Sequence, residues 1–143
     1  MATYYMNEGA FELPDAGFVD RTVHVFEAPL PRGEELGVII CRARFPEGKS
    51  LRDLVSIHLA GEAKKLRGYS IIEQRDAEWA GAPAIDIRSR WRLETRVVYQ
   101  RQAHLAVLDT WMLFGATAPL GEREACDRCL DHILSSLRLR GAA

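Results

Sequence analysis

Leu105 to Gly115, LAVLDTWMLFG, is the stretch that most limits what this chain can become. It lies between two turn signals, and Asp109 and Thr110 make it too polar to cross a membrane. Read as one strand, it places Leu105, Val107, Trp111 and Leu113 on one face and Ala106, Leu108, Met112 and Phe114 on the other. A strand that is apolar on both faces is normally covered on both. A chain of 143 residues has few helices to do this, so part of one face is expected to be left for a partner.

The rest of the chain supplies strands and two helices. Thr3 to Asn7 and Ala10 to Leu13 read as short strands around a Glu8-Gly9 turn, stopped by Pro14 and Asp15-Ala16-Gly17. Asp20 to Glu27 alternates, with Val23 and Val25 on one face and Thr22, His24 and Phe26 on the other. Leu36 to Arg44 is a further strand. Ser50 then caps a helix to about Arg67, with Asp53 completing a capping box and Gly68 as the stop. Its stripe is Leu51, Leu54, Val55, His58, Leu59, Glu62 and Leu66. Strands are expected at Tyr69–Trp79, Pro83–Leu93 and Arg96–Gln102, with Ala103-His104 turning into the organising strand. A last helix opens at Gly121 and ends at Gly141, with Cys126, Cys129, Leu130, Ile133 and Leu137 at helical spacing. This order predicts an α+β fold in one domain, an antiparallel meander with two helices packed on it.

No catalytic motif stands out. Cys126 and Cys129 form a C-x-x-C inside an apolar helical stripe, where cysteine packs as a small hydrophobe. His58 lies in a stripe without a paired nucleophile motif. Asp109, in the most apolar strand, is expected to be buried against an arginine such as Arg42 or Arg90. Arg88, Arg90, Arg92, Arg96 and Arg101 crowd one hairpin around Trp91 and Tyr99; alternation places the arginines in solvent. The formal net charge of −1 argues against binding nucleic acid by bulk electrostatics. The first residues lack a basic n-region and an apolar h-region, and three cysteines are an odd number, so a reduced, cytoplasmic setting is the expectation.

Val23, Val25, Val38, Ile40, Val98 and the Leu105–Leu113 face add up to more apolar sheet than two helices cover. Gln100 and Gln102 would add amide groups beside it, suited to a client helix with occasional polar side chains.

The opening of the chain carries Asn7-Glu8-Gly9, then Phe11-Glu12-Leu13-Pro14, then Asp20-Arg21-Thr22-Val23-His24-Val25-Phe26. In these elements the chain resembles the DcrB-related family, and most of all its Eag (effector-associated) chaperones of bacterial type VI secretion. The resemblance implies a PsbP-like α/β/α sandwich, usually a homodimer, with no catalysis and no cofactor. It also implies a cytoplasmic protein that holds the N-terminal transmembrane segment of a secreted effector until loading, without inserting in the membrane itself. The DcrB-like lipoproteins of this fold carry a secretion signal and a lipid-attachment cysteine, which the opening residues do not show. His58 departs from a glutamine-like residue expected in the helix stripe.

On this reading the client contacts are Val23, Val25, Ile40, Leu66 and Val98, with His58, Gln100 and Gln102 as polar partners. Val25→Glu or Ile40→Glu would then abolish client binding. The alternatives are a small enzyme with a pocket at Asp109 and His58, or an immunity-type binder of a folded toxin using loops Pro29–Gly33 and Glu94–Thr95.

Overall fold

The computed structural model describes residues 2–6, 9–13 and 21–139. Of the expected Glu8-Gly9 turn, Gly9 opens a strand and Glu8 lies outside them, as do the breaks from Pro14 to Gly17, Asp20 and the stop at Gly141. β1 (Ala2–Met6) and β2 (Gly9–Leu13) form an antiparallel hairpin. β3 (Val23–Pro29), β4 (Glu35–Arg44), β5 (Ser70–Trp79), β6 (Ala82–Leu93), β7 (Arg96–Val107) and β8 (Thr110–Pro119) form one sheet in the order β3-β4-β8-β7-β6-β5. Every neighbouring pair is antiparallel. α1 (Leu51–Lys65) packs on β6 and β7, and α2 (Arg123–Ser136) on β7 and β8. This is the expected α+β meander.

The stretch Leu105–Gly115 is not one strand. It is the tip of the β7–β8 hairpin, broken at Leu108-Asp109, with Val107 opposite Thr110. Leu108 has φ of 56°, which a two-residue hairpin turn needs in its first position and which usually calls for glycine. With leucine there, the turn has no signature in the sequence. Leu108 is accordingly 93% exposed. Ala103 and His104 do not turn either; both are buried in the middle of β7. α1 starts as expected, with Ser50 and Asp53 capping reciprocally, but ends at Lys65.

Register fixes the faces. Val38, Ala116, Arg101 and Arg88 lie in one row across β4, β8, β7 and β6, on the α2 side. Around that row Tyr99, Ala103, Leu105 and Phe114 pack with Cys126, Leu130 and Leu134 of α2. Each large buried aliphatic side chain contributes roughly 1.5–3 kcal/mol. Across the sheet, Ile85 and Ile87 pack with Val55 and Leu59 of α1.

Arg101 corrects the expectation that the arginines of this hairpin are solvated. It is 1% exposed. Its Nε and Nη2 donate to the two carboxylate oxygens of Asp86 at 3.1 and 2.8 Å, and its Nη1 donates to Asp131 Oδ1 at 2.6 Å. Tyr99 Oη donates to Asp127 Oδ1 at 2.8 Å, and Arg88 Nη1 lies 3.4 Å from Asp127 Oδ2. Arg90, Arg92 and Arg96 are exposed, as expected.

Arg101→Met leaves Asp86 buried without its main partner and is expected to cost about 3–5 kcal/mol in urea unfolding, with Arg101→Met/Asp86→Leu recovering most of it. Leu108→Gly relieves the positive φ and is expected to raise stability by about 1 kcal/mol in the same assay.

Candidate functional site

The α1 side of the sheet is covered over only part of its width. Three rows cross it from β3 to β6. Val23, Cys41, Leu113, His104 and Ile85 make the first. Val25, Ile39, Gly115, Gln102 and Ile87 make the second. Glu27, Gly37, Thr117, Gln100 and Ser89 make the third. α1 sits over the β6–β7 end. The β3–β4 end stays open, with Val23, Val25 and Ile39 exposed by 54%, 62% and 40%. Gly37 and Gly115 put no side chain into the middle of these rows. A Cβ on Gly115 would already touch Ile39 Cγ2 and Gln102 Cγ at 3.8 and 3.9 Å, so the floor there is low. A cleft of about 350 Å³ runs along α1 between Ile57, His58, Gly61, Glu62, Lys65 and Leu66. Another of about 320 Å³ lies against Arg21, Val23, Cys41, Pro46, Trp111 and Leu113.

Where the covered and open parts meet, a polar chain runs through the apolar wall. Trp111 Nε1 donates to His104 Nδ1 at 3.1 Å. Indole nitrogen can only donate, so the His104 proton is on Nε2, which donates to Gln102 Oε1 at 3.2 Å. Gln102 Nε2 then donates to Glu62 Oε1 at 2.9 Å. Each donor points towards the Glu62 carboxylate. His58 Nε2 sits 2.9 Å from the same oxygen, an ion-pair distance without the alignment of a hydrogen bond. Burial, and then the neighbouring His58, push the His104 imidazole down to about 3, so it is neutral. Burial works against charge on Glu62, but His58 and Gln102 outweigh it and hold the carboxyl below its ordinary value. Glu62 Oε2 and Gln100 Oε1 are buried acceptors with no donor among the described residues.

Seven of the eight predicted contact residues fall on this side. Val23 and Val25 are its exposed apolar part, His58 and Gln102 belong to the polar chain, and Gln100 stands one row further. Leu66 is half-buried at the end of α1, and Val98 is half-buried beside Pro119. Ile40 is the exception. Its side chain turns to the α2 side, into a separate apolar cleft of about 360 Å³ with Phe26, Leu36, Val38, Cys129 and Ile133. Ile39 takes its place. The run Val38-Ile39-Ile40 is apolar throughout, so alternation had no phase to read there. Ile57, His104, Trp111 and Gly115 were missed, His104 because it was read as a turn.

Asp109 is not a buried acid. Its side chain is exposed at the hairpin tip, 4.0 Å from Arg44, and the carboxylate facing His58 is Glu62. Burial pushes the Cys126 thiol up to about 12, which keeps it protonated within the α2 core.

An antiparallel sheet with a helix on each side and one face left half open defines an α+β sandwich of the PsbP-like class. The DcrB family model matches residues 8–136, and the chain belongs to that family. No curated protein matches it. Among solved structures it is similar to PA94 of Pseudomonas aeruginosa, a protein of unknown function described as a candidate regulator. That match has a TM-score of 0.81 and 20% identity, covering 98% of this chain and 97% of the other. It is also similar to LpqN of Mycobacterium tuberculosis, involved in cell envelope biogenesis, with a TM-score of 0.62 and 12% identity over 79% of this chain and 67% of LpqN. PsbP of the cyanobacterium Synechocystis sp. PCC 6803 matches with a TM-score of 0.54 and 13% identity over 88% and 96%. At these identities the likeness is one of fold.

The buried neutral His104 makes stability depend on pH. Unfolding restores its ordinary value of 6.5, so the unfolded chain takes up a proton that the folded one refuses. Stability is fully present above 6.5 and falls with acid, by up to about 1.4 kcal/mol per pH unit. His104→Gln can still accept from Trp111, and thermal melts between pH 7 and 4 are expected to show a flatter profile for it than for the wild type.

Proposed function

We propose that this chain is a chaperone or adaptor for a hydrophobic helix, the N-terminal transmembrane segment of a type VI secretion effector. The reading is carried by the open half of the sheet, where Val23, Val25 and Ile39 stand exposed, and by the exposed Ile57 in the cleft along α1 that also holds His58 and Glu62. A contiguous apolar surface of this kind on a small protein marks an interaction site. No helix among the described residues is long and apolar enough to cross a membrane, so the apolar surface is not part of a spanning helix.

A client helix laid over Gly37 and Gly115 would bury its apolar side chains against these valines and isoleucines, at about 25 cal/mol per Å² of apolar area removed from water. The unsatisfied acceptors of Glu62 and Gln100 at the edge of that floor favour a segment with an occasional hydroxyl or amide donor. The resemblance of the opening residues to the Eag chaperones points to the same client, held in the cytoplasm until loading. The role needs no cofactor and no chemistry.

The test is co-expression with a tagged effector that carries an N-terminal hydrophobic segment, purified without detergent. Wild type is expected to come with the client and keep it soluble. Val25→Glu and Ile39→Glu each bury an unpaired carboxylate in the contact and are expected to weaken capture about a hundredfold or more. Ile40→Glu, on the opposite face, is expected to keep it. Capture by both of the first two variants would overturn the assignment.

A further inference from the structure

Ile71, Ile72 and Leu93 are aliphatic and exposed by 44%, 50% and 60%. None belongs to the open face. Leu93 closes the β6–β7 hairpin opposite Arg96, with Glu94-Thr95 as the turn. Ile71 and Ile72 lie at the start of the edge strand β5, where Ile71 stands opposite Ser89 and Glu73 opposite Arg88. Ile72 is the extra residue of that bulge, and a bulge bends its strand and re-aims side chains.

The fold brings these pieces to one end of the sheet. α1 stops at Lys65, and the chain returns through Gly68 into β5. Arg92 N donates to the Arg67 carbonyl at 2.7 Å, and a Cβ on Gly68 would touch the Arg92 side chain at 3.5 Å. Ser70 stands opposite Arg90. The end of α1, the start of β5 and the β6–β7 tip therefore share one surface.

That surface is strongly basic. Residues 63–72 and 90–96 hold Lys64, Lys65, Arg67, Arg90, Arg92 and Arg96 against one carboxylate, Glu94, in a chain of net charge −1. All six cations are exposed, and none makes an ion pair among the described residues. Lys65 helps to hold the Glu62 carboxyl low without pairing with it. By contrast Arg52, Arg75 and Arg88 each lie against an acid.

Aliphatic side chains can enter the headgroup boundary of a bilayer while Lys and Arg, on long stems, keep their charges at the phosphates. Each cation held at an anionic surface raises partitioning about fivefold. Trp91 and Tyr69, the rings at this end, are half-buried and not presented for stacking on nucleic-acid bases. A soluble acidic partner would answer the charges but not the three aliphatics.

We propose that this end of the sheet docks peripherally and reversibly on an anionic lipid bilayer, with Leu93, Ile71 and Ile72 at the headgroup boundary. The contact lies at the β5–β7 end, away from the open β3–β4 face, and does not rest on the client reading.

Co-sedimentation with vesicles tests it. Wild type is expected to bind vesicles of phosphatidylglycerol mixed with phosphatidylcholine, to leave them as salt rises, and to ignore pure phosphatidylcholine. Lys64→Glu combined with Arg96→Glu is expected to weaken binding about a hundredfold. Leu93→Ser is expected to weaken it about tenfold at unchanged charge. Lys49→Glu, at the opposite end of α1, and Val25→Glu, on the open face, are expected to keep it. A wild type that ignores the anionic vesicles would overturn the proposal. Binding lost with Val25→Glu or Lys49→Glu and kept by the tip variants would also overturn it, by placing the contact elsewhere. Binding indifferent to Leu93→Ser and fully competed by soluble polyglutamate would overturn it in favour of an acidic protein partner. A Lys64→Glu/Arg96→Glu chain that misses vesicles yet still captures client is the expected separation of this surface from the open face.

Discussion

Arg101 sets the phase of the whole sheet. Its guanidinium is buried between Asp86 of β6 and Asp131 of α2, and a charge there can be held only where both carboxylates reach it. A slip of β7 by one residue would move that charge to the opposite face and strand Asp86. With the phase fixed, Tyr99, Ala103 and Leu105 must face α2, and Gln100, Gln102 and His104 must face α1. The apolar core and the candidate site are opposite sides of the same strand.

The open face follows from a count of surfaces. The sheet is six strands wide, and each helix spans about two. α2 sits near the middle of its side and leaves a cleft towards β3, while α1 sits towards β6 and leaves β3 and β4 bare. A soluble domain normally avoids that arrangement. Its persistence here, over glycines that put no side chain into the middle of the face, is the observation on which the proposed client site rests.

The polar chain from Trp111 to Glu62 solves a separate problem. His104 and Gln102 lie under α1, where an unsatisfied polar group is costly. Each donates to the next, and the chain ends on a carboxylate that faces His58. The chain ties α1 to β7 and β8 at the rim of the open face, so the apolar floor and its polar edge are positioned together.

Much of this was legible in the amino-acid sequence, wherever the signal was local. Ser50 and Asp53 cap α1 from three residues apart, and the stripe of His58 and Glu62 follows from helical spacing within it. Val23 and Val25 alternate cleanly, so their shared face could be read. The sequence by itself determined the α+β meander, its helices and the surplus of apolar sheet. Only the tertiary structure decided where the surplus lies. Arg101 looks like any arginine on an exposed strand until Asp86 and Asp131 close on it. Ile39 and Ile40 are interchangeable until β8 sets the phase. Asp109 looks buried until Leu108 turns the chain, at a φ that leucine does not advertise. In each case the deciding partner lies on another strand or helix, and no window of neighbouring residues contains it.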